Sequence, residues 1–151
     1  MKRRYVFSAI LFAVAFVTSA VWEFAQMPLY TEGGLPFREH APMCLWASVW
    51  DAGYVLVLYL FLALFNHDFL WIRSLARWQN LFLIVGIGLA TATFVELRAL
   101  ERGNWSYAPM MPLVPYIGTG LTPFIQLPIT AFLAYLFARE YTKKIKDADD
   151  V

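Results

Sequence analysis

The chain has 151 residues, of which 60% are apolar and only 15% charged, against roughly 25% charged in an ordinary soluble domain. That composition argues against a water-soluble globule, and a net charge of +1 argues against a nucleic-acid partner, which needs a concentrated basic face. The single cysteine, Cys44, excludes an internal disulfide.

Four apolar stretches, 5–27, 43–65, 79–100 and 116–138, are each long enough to cross a bilayer, which takes about 20 residues. Backbone polar groups in hydrocarbon must be satisfied within the segment, so each stretch is expected to be a helix. The expected fold is all-α, an integral membrane four-helix bundle forming one domain over residues 1–151.

The first stretch follows Lys2, Arg3 and Arg4 and carries Ser19, Glu23 and Gln26 on one face, with Trp22 beside them. A rival reading takes it as a secretory signal, with small residues at Thr18, Ser19 and Ala20 as its cleavage site. The loop after it is rich in breakers: Pro28, Gly33, Gly34, Pro36 and Pro42.

The second stretch carries Cys44, Ser48 and Asp51 at helical spacing, with Trp46 near its start. The following loop places Trp71, Arg73, Arg77 and Trp78 at near-helical spacing, which predicts a short amphipathic interfacial helix.

The third stretch offers Gly88, Ala92 and Glu96, a small-residue face that permits close helix contact below the acid. Gly86 and Ala90 add further small residues. The next loop holds Gly103, Asn104, Trp105, Tyr107, Pro109, Pro112 and Pro115. Its aromatics either anchor at the headgroup level or wall a pocket.

The fourth stretch carries Thr119, Thr122, Gln126 and Thr130. Pro123 and Pro128 each remove an N–H and predict a kink beside Gln126. The tail from Lys143 to Val151 is expected to fray into solvent.

Orientation follows from Lys and Arg. Lys2, Arg3, Arg4, Arg73, Arg77, Arg139, Lys143, Lys144 and Lys146 fall on one side, and Arg38, Arg98 and Arg102 on the other. This bias places both termini in the cytoplasm and predicts a multi-pass protein of the inner (cytoplasmic) membrane. Loss of a signal segment would leave the other three crossings as they are.

Ionisable residues inside membrane helices are costly and are candidate functional groups. Glu23 and Glu96 lie about 6 Å, Asp51 about 12 Å and Gln126 about 15 Å from the outer helix ends. All four helices therefore point polar groups at one outer-half cavity. Arg98 lies on a different face from Glu96, so the acids have no evident basic partner. A protonated carboxyl in such a place can donate a proton, and an ionised neighbour can stabilise positive charge. The same groups can instead form a buried network that fixes helix register.

Met27, Met43, Met110 and Met111 cluster at the outer rim near Cys44 and His40, a soft donor set of the kind that suits Cu(I). The spacing matches no metal motif, and methionine also fills gaps. His67 falls on the cytoplasmic side. No cofactor is called for, and no CxxC, HExxH or Ser/His/Asp set is present.

The segments WEFAQMPLY (Trp22–Tyr30) and GNWSYAPMMPLVPYIGTGLTPFIQ (Gly103–Gln126) resemble a family of small prokaryotic four-helix membrane proteins that carries no known activity. The bundle with intramembrane carboxylates also resembles, in architecture, the sterol-isomerase and membrane terpene-cyclase families. That resemblance implies proton donation and carbocation shielding by Glu23, Asp51 and Glu96, with Trp22, Trp46 and Trp105 as cation-stabilising rings. The chain lacks the His and Glu one turn apart that sterol isomerases carry.

The leading expectation is an acidic pocket for a membrane lipid or lipophilic small molecule, acting as an isomerase or cyclase on isoprenoid-type lipids. Glu23, Asp51 and Glu96 would be catalytic. Trp22, Gln26, Trp46, Ser48, Asn104, Trp105, Tyr107, Thr119, Thr122 and Gln126 would bind the ligand. Two alternatives stay open: binding or transport of a proton, Na⁺ or copper, and a non-catalytic subunit of a membrane complex; assembly as a homo-oligomer stays open as well.

Overall fold

The computed structural model describes residues 2–149, with side chains described for 5–141. The described chain is all-α: α1 (Lys2–Gln26), α2 (Phe37–Phe65), α3 (Trp78–Glu101) and α4 (Leu121–Asp149). All four helices are long and apolar enough to cross a membrane. The side chains of Lys2, Arg3, Arg4, Lys143, Lys144 and Lys146, six of the positions counted for orientation, lie outside those described.

The helix limits differ most from the expected stretches at the start of α2 and at both ends of α4. α2 begins at Phe37, with Pro42 inside it, and α4 begins at Leu121, so Thr119 belongs to the preceding loop. The tail that was expected to fray keeps helical backbone to Asp149.

The helices do not form a closed square. α1 packs against α2 and α4, and α4 packs against α3, while α2 and α3 have no substantial interface with one another. The half of the bundle at the α2–α3 connection is nevertheless filled, because its facing positions are large and apolar or aromatic. Phe7, Leu11, Val55, Tyr59, Leu62, Ile84 and Tyr135 are all buried there. The Tyr59 ring lies 5.2 Å from Phe7, 5.4 Å from Trp71 and 5.9 Å from Tyr135. Tyr59 donates its hydroxyl to the Phe69 carbonyl, and Trp71 Nε1 donates to the Tyr59 carbonyl at 3.1 Å.

This knot overturns the expectation of an interfacial helix after α2. Only Trp71–Ser74 forms a single 3-10 turn. Trp71, Ile72 and Leu75 are buried under the bundle, and Arg73 and Trp78 point outward. The indole has a buried acceptor within reach, so burying it costs little and adds a large apolar area. The segment is a plug.

The small-residue face of α3 splits in two. A Cβ on Gly88 would lie 2.9 Å from the Pro128 ring, so α3 and α4 touch there because neither backbone is screened by a long side chain. Gly86 has nothing within 4 Å of such a Cβ, and it and Ala90 are exposed. Pro123 stands in the first turn of α4, where its missing N–H has no intrahelical partner to lose.

The α1–α2 and α3–α4 connections, called the outer connections for their place at the opposite end from the packed core, are zipped together across the top. Thr31 N–H donates to the Ser106 carbonyl at 2.9 Å, Ala108 N–H donates to Leu29 at 2.9 Å, and Tyr30 and Tyr107 form an antiparallel bridge. The turn after α1 needs glycine at position 33, where a Cβ would sit 2.3 Å from the Met27 carbonyl oxygen.

Candidate functional site

With one end filled and no α2–α3 interface, the half of the bundle beneath the α1–α2 and α3–α4 connections is left hollow. A cavity of about 710 Å³ lies there, with Glu23 and Gln26 of α1 and Pro123 and Gln126 of α4 behind it. Met43, Cys44, Trp46, Trp50, Asp51 and Tyr54 of α2 form one flank, and Thr91, Ala92 and Val95 of α3 the other. Trp46, Trp50 and Val95 are exposed, so the cavity opens sideways between α2 and α3. Tyr30, Glu32, Asn104 and Trp105 from the outer connections close the top.

Its polar centre is one amide. Gln126 Nε2 donates to Glu23 Oε1 at 2.6 Å and to Asp51 Oδ2 at 2.7 Å. An amide nitrogen has two hydrogens, and here each goes to a carboxyl from a different helix. Gln126 Oε1 accepts from Gln26 Nε2 at 2.7 Å, and Gln26 Oε1 accepts from Trp22 Nε1 at 3.1 Å. Ser19 is fully buried beside Asp51. No Lys or Arg lines the cavity. Arg98 instead pairs with Glu101 at 3.3 Å on the exposed side of α3.

Glu96 is placed differently. It is 6% exposed and does not line the cavity, because the outer connections cap it. Its Oε2 accepts from Tyr107 at 2.5 Å and Trp105 Nε1 at 3.4 Å, and its Oε1 accepts from Tyr30 at 3.3 Å. The Tyr107 oxygen also accepts the Gly120 N–H at 2.8 Å, which ties the start of α4 into the same cluster. Burial first, then the negative field of Glu96, pushes the Tyr30 phenol well above its ordinary value. Burial and the hydrogen bond to Glu96 do the same to Tyr107.

The sequence-derived set thus divides. Glu23, Gln26, Trp46, Asp51, Asn104, Trp105 and Gln126 meet at the cavity. Trp22 and Tyr107 stand behind it as donors. Ser48 is spent on the Cys44 carbonyl at 2.7 Å within α2, and Thr122 faces the Met111 sulfur at 3.7 Å. Thr119 is fully buried and outside the lining.

Residues that the sequence reading passed over are Tyr30, Glu32, Trp50, Tyr54 and Thr91. Tyr54 follows Asp51 by three and continues the stripe of Cys44, Ser48 and Asp51, so helical spacing could have found it. Glu32 carries a carboxylate oxygen that is buried without a hydrogen-bond partner, but it sits in a loop where no periodicity points at it.

The methionine rim does not converge. Met27 meets the Cys44 thiol at 3.7 Å and Met43 lines the cavity, whereas Met111 packs on Gly120 and Met110 is exposed. His40 is bonded to the Leu35 carbonyl at 3.1 Å. Among the described residues no group of three or more His, Cys, Asp or Glu is arranged to hold a metal ion.

Comparison with protein-family models, with curated proteins and with solved structures finds no match to this chain.

Proposed function

We propose that the chain is a multi-pass protein of the cytoplasmic membrane, with both termini inside and the cavity in the outer half. In this reading the cavity takes a lipophilic ligand from the bilayer, through the gap between α2 and α3. The observation that carries the reading is the Gln126-bridged carboxyl pair facing a large, mostly apolar hollow with no basic residue in its lining. Two carboxyls held this close without a cation call for a proton or an electron-poor ligand beside them.

That arrangement suits acid–base chemistry on a carbon–carbon double bond, as in isomerisation or cyclisation of an isoprenoid-type lipid. One carboxyl of the Glu23–Asp51 pair gives its proton to an alkene carbon, so an O–H bond breaks and a C–H bond forms. The cation left on the neighbouring carbon is shielded by the other carboxylate and by the rings of Trp46, Trp50 and Trp105. Loss of a proton from an adjacent carbon to a carboxylate restores a double bond in a new position. No oxidant or reductant is consumed. Glu96 serves here as a positioning residue that holds the top of the cavity closed.

The test is turnover of polyene lipids by purified protein, with lipids retained through gentle purification identified by mass spectrometry. Asp51→Asn and Glu23→Gln are each expected to reduce turnover by about 10²–10⁴-fold, the usual worth of a positioned acid or base. Unchanged turnover and unchanged lipid retention in both variants would remove the proposal.

A further inference from the structure

Tyr54 is a wall of the cavity on one side only. The same side chain lines a second, smaller hollow of about 220 Å³, whose other walls are Val57, Leu58 and Phe61 of α2 and Ile87 of α3. On α2 the positions Asp51, Tyr54, Leu58 and Phe61 step by three, four and three, and on α3 Val95, Thr91 and Ile87 step by four. Each set is one helix stripe, and the two stripes flank the gap where α2 and α3 fail to pack. Both grade from polar to apolar in the same direction: Asp51, Tyr54 and Thr91 lie toward the outer end, and Leu58, Phe61 and Ile87 toward the packed floor formed by Leu62 and Ile84. From Asp51 to Phe61 the run is roughly 15 Å along the axis.

Resting on the reading of the cavity as a lipophile site, we infer that this groove is a tail track. The ligand is a single-chain amphiphile whose reactive or polar end sits at Glu23 and Asp51, with its hydrocarbon tail running past Tyr54 between α2 and α3. Hydrocarbon is the fitting occupant because the groove below Tyr54 is wholly apolar and shares the Tyr54 wall with the cavity. A head-first ligand in the opposite sense would bury its polar end against Leu58 and Ile87 without partners. Tyr54, whose buried hydroxyl stands beside Thr91, marks the boundary between the head and tail compartments.

Chain length and register test this. Purified protein in detergent is titrated with isoprenoid alcohols of one to four isoprene units, and binding is read by native mass spectrometry. Affinity should rise with each unit until the groove is filled, then level off. Val57→Trp places a bulky ring in the groove from an exposed position and should weaken the longest ligand about tenfold while sparing the shortest. Val21→Trp, exposed on α1 away from the groove, should change neither.

A longest-chain analogue with a photoreactive group at its tail end should label Val57–Phe61 and Ile87. Length-independent binding, equal effects of the two variants, or labels scattered over the outer faces would overturn the track and leave the cavity reading standing. Cross-linked dimers through α2 would mean that a second copy covers this face, and would overturn it too. Failure of every alcohol to bind would overturn both.

Discussion

Tyr107 donates its hydroxyl to Glu96 at 2.5 Å and receives the Gly120 N–H on the same oxygen, so one phenol joins α3, the α3–α4 connection and the residue that leads into α4. Replacing it by phenylalanine removes a donor from a buried carboxyl and an acceptor from a backbone N–H. Tyr107→Phe is expected to cost about 1–3 kcal/mol, read as a lower thermal midpoint. If the top of the cavity is held by this cluster, the outer connections should also exchange amide hydrogens faster. An unchanged midpoint and unchanged exchange would show that the cluster holds nothing.

The same cluster sets a response to alkaline pH. Both Tyr30 and Tyr107 have phenol values raised above the ordinary 10.0 in the folded chain. The folded state therefore keeps protons that the unfolded state releases above about pH 10. The unfolded form binds fewer protons there, so stability is unaffected below that point and falls as pH rises beyond it. Thermal midpoints should decline above about pH 10, and Tyr30→Phe with Tyr107→Phe should flatten the decline even though both lower the starting value. A decline of the same steepness in the double variant would contradict this assignment.

Two glycines two residues apart, and so on different faces of α3, should respond with opposite sign. At Gly88 a methyl group would press on the Pro128 ring at 2.9 Å, and that ring cannot swing aside as a flexible side chain would. Gly88→Ala should destabilise by about 1–3 kcal/mol. At Gly86 the added methyl meets nothing within 4 Å, and the helix gains about 0.5–1 kcal/mol from replacing glycine. Paired thermal melts decide it; two shifts of the same sign would mean that α3 and α4 do not meet as described.

How far the site was legible differs residue by residue. Glu23, Asp51 and Gln126 can be brought together from helical spacing and height alone, because a membrane-length helix fixes both within a residue or two. The direction of Glu96 cannot, since its partners Tyr30, Trp105 and Tyr107 come from two loops whose pairing is a tertiary event. Trp71, Arg73, Arg77 and Trp78 read as a short amphipathic interfacial helix, yet packing against Tyr59 draws the Trp71 indole inside. The gap between α2 and α3 left no periodic mark, because an unpacked apolar stripe and a packed one have the same sequence. The four long apolar helices were legible, and the open side of their arrangement was not.

Cys44 offers a direct measure of whether the cavity is occupied. It is the chain's one cysteine, it is 2% exposed, and its thiol faces Met27 at the cavity wall, so a reagent can reach it only through the hollow. A small lipophilic thiol reagent should modify it, while a bulky charged one should not. A lipophile seated against Glu23 and Asp51 fills the space that the reagent must cross, so its presence should slow modification about tenfold. Asp51→Asn should weaken that protection if the ligand is held at the carboxyl pair, and Val57→Trp should weaken it only for long chains. Equal modification rates with and without lipophile would mean that the ligand binds elsewhere.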